Sequence, residues 1–363
     1  MTRSSIVVAA LACLFPLFAT AHSGSASYID VRDAGRDVQA KISLDLRDVQ
    51  YALDLDANDD NKITWGELRS KEASLAALVL QRLSVARDGR ACSMRAAELA
   101  VDHVLDAPFA VIDARLTCAA TGTLQVRSDL LFDLDVNHRA LLEWHRGETT
   151  NVAVLSRANR VWQAPAAGVG SLAQLVDFIG EGMWHIWTGF DHLAFLLVLL
   201  LPTFIARQGS TRHFEWPRLL GIVSAFTLAH SITLILAALR IVTLPERPIE
   251  IAIAASVVLA ALLNLRNRAH AVGVLTAFGF GLLHGFGFAS ALQGLEAGRA
   301  SLALALAGFN LGVEAGQLVI VAAAMPLLLY LARRSVYASR VVPGVSLAIA
   351  ALGAGWIWER AAS

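Results

Sequence analysis

The sequence predicts two joined parts of different fold class, an exported β-sandwich-like domain followed by an α-helical polytopic membrane domain of about six transmembrane helices. Hydrophobic residues make up 56% of the 363 residues, yet charges are frequent before about residue 165 and sparse after it. Polar and apolar residues alternate through 27–46, which is typical of half-buried strands. Beyond residue 184, apolar runs follow one another, and about 20 such residues cross the ~30 Å hydrocarbon layer of a bilayer.

The first 21 residues have the pattern of a signal peptide. Arg3 supplies the positive charge, residues 6–18 form the apolar stretch, and residues 19–21 are a small-residue cleavage site. An uncleaved anchor is the alternative, but the apolar stretch is too short to span a bilayer comfortably. We therefore expect a multi-pass protein of a bacterial-type inner membrane, with residues 22–165 in the periplasm.

Further strand-like segments continue through the exported domain and are separated by Gly, Asp, Asn and Thr turn residues. They lie at 93–105, 109–118, 123–135, 139–145 and 151–156. One helical insertion is expected between about Arg47 and Leu83, and the small, Pro/Gly-rich stretch 164–171 is expected to be the linker. Cys13 leaves with the signal peptide, so Cys92 and Cys118 are predicted to form a disulfide in an oxidising compartment.

Residues 56–67 match the calcium-binding loop of an EF-hand. The residues at its ligand positions are Asp56, Asn58, Asp60, Lys62, Thr64 and Glu67, where Lys62 offers its backbone carbonyl and Glu67 a bidentate carboxylate. Asn61 stands at the position where glycine is expected, and asparagine tolerates the left-handed backbone required there. A chance match of an acidic surface loop is the alternative. A single exported site meets millimolar calcium, so Ca²⁺ is expected to be a structural ion of the insertion.

The membrane domain is predicted to begin with an interfacial helix over 171–183, and the transmembrane region extends over 184–358. The predicted spans are 184–206, 217–241, 248–265, 271–293, 302–331 and 341–358. Loops on one side contain Arg207, Arg212, Arg218, Arg266, Arg268, Arg333, Arg334 and Arg340, and the opposite side contains fewer arginines. This bias obeys the positive-inside rule with the N-terminal domain outside the cytoplasm. The apolar spans make the lipid bilayer an expected partner, and the zero net charge gives no indication of nucleic acid.

Several ionisable residues fall inside the predicted spans, where such residues are costly and are therefore candidates for function. They are His185, Asp191, His192, His230, His284 and Glu314. Those on four different spans reach similar depths in the outer half of the membrane, if each residue rises about 1.5 Å along its helix. Imidazole and carboxylate ligands without thiolate suit Ni²⁺, Co²⁺, Zn²⁺ or Cu²⁺. Hydrogen-bonded interhelical histidines are the alternative for any one of these positions.

Four stretches of the membrane domain resemble the HupE/UreJ family of membrane proteins. They are HIWTGFDHL (185–193), FTLAHSITL (226–234), FGFGLLHGFGFA (278–289) and FNLGVEAGQ (309–317). The resemblance covers residues 171–358 and implies secondary transport of nickel or cobalt, linked to hydrogenase or urease maturation. It also implies that the six ionisable residues named above handle the metal. The exported domain and its calcium loop depart from the short, hydrogenase-associated members.

Three functions remain open from the sequence. The first and favoured one is a metal permease that captures its ion at the outer mouth. The second is an intramembrane zinc-type metallohydrolase, with Asp191 or Glu314 as base. The third is a receptor or assembly factor whose exported domain is stabilised by calcium. The sequence does not identify its protein partner. The absence of comparable ligands from the predicted inner half of the spans favours the second or third.

Overall fold

The computed structural model describes residues 25–104, 107–119, 122–165, 170–205, 216–265, 273–287 and 298–362. The predicted signal peptide, residues 166–169 of the predicted linker and Arg207, Arg212, Arg266 and Arg268 lie outside these ranges. By its contacts the chain divides into two compact units, the first containing the strands and the second most of the apolar helices.

Within the described ranges, ten strands form two sheets in the first unit. They are β1 Ala26–Ala34, β2 Asp37–Asp45, β3 Leu83–Arg87, β4 Arg90–Ala91, β5 Ser93–Val104, β6 Ala107–Thr117, β7 Leu124–Ser128, β8 Arg139–Arg146, β9 Thr149–Leu155 and β10 Val161–Gln163. One sheet has the order β5-β6-β2-β1-β8-β9 and the other β10-β7-β3-β4. All pairings are antiparallel except that of β1 with β8, which is parallel. The alternating segments of the sequence therefore correspond to real strands, except that residues 129–135 form turns.

The apolar residues that alternate along the strands of both sheets form one shared core. Ile29 and Ile42 of the larger sheet and Val126 of the smaller one are fully buried in the same apolar cluster. Arg87 of β3 forms a buried ion pair with Asp33 of β1. The ion pair is retained inside because a buried charge is tolerated when it is paired.

The Cys92–Cys118 disulfide is present and confirms the predicted pairing. It joins the residue after β4 to the residue after β6, so it ties the smaller sheet to the larger one. The two cysteines are 26 residues apart in sequence.

Three helices fill the insertion between β2 and β3: α1 Leu46–Leu53, α2 Trp65–Ser70 and α3 Glu72–Arg82. They bury Val49, Leu68 and Leu75 in the core that the strands share. The predicted helical insertion is therefore observed, and the candidate calcium loop lies between α1 and α2.

A polar cluster, which the sequence did not reveal, ties the insertion to the start of β1. Ser25 Oγ donates to Asp48 Oδ2 at 2.6 Å and also contacts His138 Nδ1, while Ser27 Oγ lies 3.0 Å from His138 Nε2. Burial lowers the pKa of His138 to about 3, and burial raises the pKa of Asp48 to about 6. These two shifts oppose each other in their effect on acid stability.

The apolar half of the chain is helical. Its helices are α4 Gly170–Thr188, α5 Phe190–Leu200, α6 Trp216–Ala238, α7 Glu246–Leu265, α8 Val274–Gly287, α9 Arg299–Ala332 and α10 Val342–Ala362. A short 3₁₀ turn, Leu201–Phe204, continues α5, and a π-helical turn, Tyr337–Val341, leads into α10. In the described ranges four helices are long and apolar enough to cross a membrane, or five if the bent pair α4–α5 is one span.

The structure changes the predicted start of the membrane domain. An interfacial helix over 171–183 and a straight span over 184–206 were expected. Instead α4 continues to Thr188, and the direction changes by 73° before α5 begins. Gly189 adopts an extended backbone conformation at this break. Asp191 in the first turn of α5 accepts the backbone N–H of His192 at 2.9 Å, which helps this new helix to begin.

The predicted span 271–293 is also longer than the helix described within it, since α8 has 14 residues and residues 288–297 lie outside the described ranges. Two glycines let α8 approach α6 closely. A Cβ on Gly281 would meet the Phe226 carbonyl, and one on Gly285 would meet the His230 carbonyl. Small residues permit such close helix contacts in membranes, and here the contact places His284 beside the helix that contains His230.

Candidate metal centre

Four histidines from four helices converge in the second unit. His185 lies on α4, His192 on α5, His230 on α6 and His284 on α8. The ring centroid of His192 lies 4.7 Å from that of His185 and 5.0 Å from that of His284. The centroid of His230 lies 6.2 Å from that of His185 and 6.4 Å from that of His192. We call these four side chains the imidazole cluster.

The break at Gly189 makes this convergence possible. His185 and His192 would lie two turns apart on a continuous helix, whereas the bend brings their rings into edge-to-face contact. A Cβ on Gly189 would lie 2.5 Å from His192 Nδ1, so the glycine also makes room for the imidazole.

The cluster is buried and has nitrogen atoms available for a ligand. His192, His230 and His284 are 8%, 0% and 1% exposed. Within the described part of the chain, His192 Nε2, His284 Nδ1 and both ring nitrogens of His230 are buried without a hydrogen-bond partner. An unsatisfied buried polar group costs about 1–3 kcal/mol, so several of them in one place favour a bound ligand.

Hydrogen bonds fix which nitrogen of two rings faces the cluster. Asp191 Oδ1 lies 2.9 Å from His192 Nδ1, and since a carboxylate accepts, Nδ1 carries the hydrogen. Ser256 Oγ donates to the Ile253 carbonyl at 2.6 Å and lies 3.2 Å from His284 Nε2, so it accepts from that nitrogen. The lone pairs of neutral His192 and His284 are therefore on Nε2 and Nδ1, the two atoms left without partners.

The separations between the rings are close to those of a metal site, but the rings are not yet oriented to bind one ion. Two imidazoles at ~2.1 Å from one tetrahedral ion have ring centroids about 5 Å apart. The observed separations run from 4.7 to 6.4 Å. Among the described residues, no group of three or more His, Cys, Asp or Glu side chains already has metal-holding geometry. The rings must therefore turn before three of them can share an ion.

The two predicted carboxylates have different positions. Asp191 lies at the edge of the cluster, where Oδ1 serves His192 and Oδ2 lies 3.5 Å from Arg360 Nη2. Glu314 accepts a hydrogen bond from Ser224 Oγ at 3.1 Å. The structure thus brings Asp191 and the four histidines together and gives Glu314 a different polar partner.

A cavity of about 10 Å³ lies against His192 on the side toward Leu199. This volume is about that of one water molecule. Apolar residues make up most of its wall, including Phe195 and Phe226, and Gln317 is a polar exception. The Gln317 amide oxygen accepts a hydrogen bond from Thr227 Oγ1 at 2.9 Å. On this side the cluster therefore borders mainly apolar side chains.

The six candidate ligand positions of the calcium loop lie between the end of α1 and the first turn of α2. Asn61 takes the left-handed backbone, with φ of 60°, and its N–H donates to Asp56 Oδ2 at 2.7 Å. Glu67 reaches back across the loop, accepting the Thr64 and Ala57 N–H groups at 2.8 and 3.2 Å. The Thr64 hydroxyl and backbone hydrogen bonds lower the pKa of Glu67. Oxygen-rich, negatively charged donors fit a hard cation such as Ca²⁺.

Two contributors to the site were not among the predicted residues. Ser256 has no sequence signal, because a serine within an apolar helix is common. Arg360 had a weak one, since a cation at the end of an apolar helix is ordinary at a membrane surface. Only the fold shows that its side chain is buried against Asp191.

Comparison with known proteins identifies the family of the chain. No curated protein matches the chain. The sequence model described as "HupE / UreJ protein" matches residues 162–360, which is more than half of the 363 residues and contains the whole imidazole cluster. That family is linked to nickel or cobalt transport or handling. The chain therefore belongs to the HupE/UreJ family.

Proposed function

We propose that this protein binds Ni²⁺ or Co²⁺ at the imidazole cluster and transports it across the inner membrane. The observation that carries the proposal is the convergence of four imidazoles from four helices, three of which, His192, His230 and His284, are buried. Neutral imidazoles are good ligands for these borderline ions, and the sequence of residues 171–358 contains no cysteine whose thiolate would favour softer ones. The family link to nickel and cobalt supports the same choice.

The chemistry of the residues suggests an order of events. His192 and His284 present lone pairs on rings whose other nitrogen is held, so they form a preset pair. His185 and His230 complete the set by turning toward the ion. Release requires the ion to pass the apolar wall that Phe195 and Phe226 form, so transport needs helix movement in addition to ligand exchange. With the exported domain in the periplasm, as proposed from the arginine bias, the cluster would open toward the periplasm.

The test is radioactive nickel or cobalt influx into proteoliposomes that contain the purified full chain. We expect His192→Ala to reduce influx at least tenfold, because it removes one member of the preset pair. His103→Ala is the matched control, since His103 lies exposed on β5 of the sheet unit. Influx through the His192 variant at the wild-type rate would contradict the proposal.

A metallohydrolase needs a base beside the ion, and the geometry gives this alternative less support. Asp191 is engaged by His192 and faces Arg360, and Glu314 is hydrogen-bonded to Ser224. If proteoliposomes bind Co²⁺ at the cluster but never carry it inward, a closed site such as a hydrolase or receptor is the better account.

We also propose that the exported domain binds one Ca²⁺ at residues 56–67. The left-handed Asn61 and the reach of Glu67 across the loop support this role. The ion would neutralise the exposed carboxylates and link α1 to α2, which both pack on the core. Isothermal titration of the full chain with Ca²⁺ tests it, and the absence of any heat of binding at millimolar Ca²⁺ would refute it.

A further inference from the structure

Arg360 is a buried cation at the end of an apolar helix. It lies in the last turns of α10, and its side chain is 8% exposed. A charged group in such surroundings is costly unless it is paired, so its position requires a reason. We propose that Arg360 is a positioning residue of the metal centre that acts through Asp191 and sets which ions the centre accepts. This inference rests on the proposed metal-binding function.

The guanidinium is fixed by contacts to the start of α7. Arg360 Nη1 donates to the Glu250 carbonyl at 2.6 Å, and Nη2 lies 3.5 Å from Asp191 Oδ2. The backbone is held as well, because Arg247 Nε donates to the Arg360 carbonyl at 3.0 Å and Nη2 to the Ala361 carbonyl. Because both the guanidinium and the backbone of Arg360 are held, the positive charge has a fixed position.

The two oxygens of Asp191 thereby have separate tasks. Oδ1 accepts both the backbone N–H and the ring Nδ1–H of His192, each at 2.9 Å. Oδ2 faces the guanidinium. A carboxylate engaged on both sides orients His192 and keeps Nε2 directed to the cluster, as partners of metal-binding histidines commonly do.

The consequence concerns the ligand set. With Arg360 in place, the donors offered to an ion are imidazole nitrogens. Without it, Asp191 Oδ2 becomes available to turn and bind the ion itself. Carboxylate ligands suit harder cations such as Mn²⁺, whereas imidazoles suit Co²⁺ and Ni²⁺. Arg360 therefore favours borderline ions over hard ones by withholding an oxygen ligand.

The experiment compares Co²⁺ and Mn²⁺ binding to the purified full chain in detergent, by calorimetry and by the visible absorption spectrum of bound Co²⁺. In Arg360→Gln we expect Co²⁺ binding to weaken about tenfold, the lower end of the range for partners of metal ligands. Mn²⁺ binding should be retained or tightened, so the Co²⁺/Mn²⁺ preference falls, and the Co²⁺ spectrum should shift toward oxygen ligation. Arg360→Lys keeps a cation there and should retain most of the preference.

Two further variants separate positioning from a general structural effect. Arg333→Gln removes an equal charge from the exposed residue that follows α9 and should leave the preference unchanged. In an Asp191→Asn background, Arg360→Gln should weaken Co²⁺ binding by less than about twofold, because coupled residues are non-additive. Arg360→Met serves as a second charge-free variant, and failure of both to fold beside a folded Asp191→Asn protein would assign Arg360 a structural role and overturn the inference.

The outcomes are distinguishable. A wild-type Co²⁺/Mn²⁺ preference and spectrum in Arg360→Gln would overturn the inference about Arg360 while leaving metal binding intact. An undiminished effect of Arg360→Gln in the Asp191→Asn background would also overturn it. If the wild-type chain binds neither Co²⁺ nor Ni²⁺, the proposed function itself fails.

Discussion

Replacing Gly281 by alanine is a sharp test of how closely α8 and α6 must approach to form the imidazole cluster. The added Cβ would lie 2.9 Å from the Ala229 Cβ and closer still to the Phe226 carbonyl. Ordinary carbon–carbon contact is about 3.5 Å, so the helices must separate by about 0.6 Å or more at this point. Overpacking of this kind costs about 1–3 kcal/mol.

The displacement also reaches the site, because His284 is one turn further along the same helix. Functional geometry is held to about 0.5 Å, so a shift of this size should weaken Co²⁺ binding about tenfold or more. The assay is thermal unfolding in detergent together with Co²⁺ titration of the purified protein.

Gly279→Ala provides the matched control on the same helix. A Cβ there would meet no atom within 4 Å. Alanine is the better helix former by up to about 1 kcal/mol, so this variant should be as stable as the wild type or more stable, with unchanged Co²⁺ affinity. The reasoning is refuted if Gly281→Ala unfolds and binds Co²⁺ as the wild type does.

Three further predictions concern the unit that contains the two sheets. Cys92→Ser opens a loop closed across 26 residues and should lower the free energy of unfolding by about 3.5 kcal/mol, measured by chemical denaturation without reductant. The low pKa of His138, about 3, makes stability fall as pH drops below 6.5, whereas the raised pKa of Asp48, about 6, destabilises as pH rises from about 4 to 6. Asp48→Asn should therefore make the protection of β1 amides, after correction for the intrinsic pH dependence of hydrogen exchange, fall more steeply from pH 6 to 4 than in the wild type, and an unchanged slope would contradict the assignment. Glu67→Gln should abolish the rise in unfolding temperature on adding Ca²⁺, while Asp59→Asn, which removes the same charge at a position outside the ligand set, should leave most of it.

The periodicity of apolar residues and the amino-acid composition were enough to predict the broad architecture. Alternation along 27–46 predicted β1 and β2, since a half-buried strand must alternate its side chains. The helical insertion and the Cys92–Cys118 pairing were also anticipated. Three short strands, β3, β4 and β10, were missed because segments of two to five residues contain too little pattern.

The geometry of the membrane part was harder to predict. The 73° break at Gly189 has no periodic signature, since apolar residues continue on both sides of it. Depth counting placed His192, His230 and His284 at a similar level, with Glu314 beside them and His185 two turns away. Only the bend brings His185 against His192. The pairing of Asp191 with Arg360 joins positions far apart in sequence, which no local pattern reports.

X-ray absorption spectroscopy of the Co²⁺-loaded full chain tests the central claim most directly. The account predicts at least three imidazole nitrogens around the ion at about 2.0–2.1 Å, and one fewer after His284→Ala. A shell made mainly of oxygens, or an imidazole count that His284→Ala leaves unchanged, would contradict it.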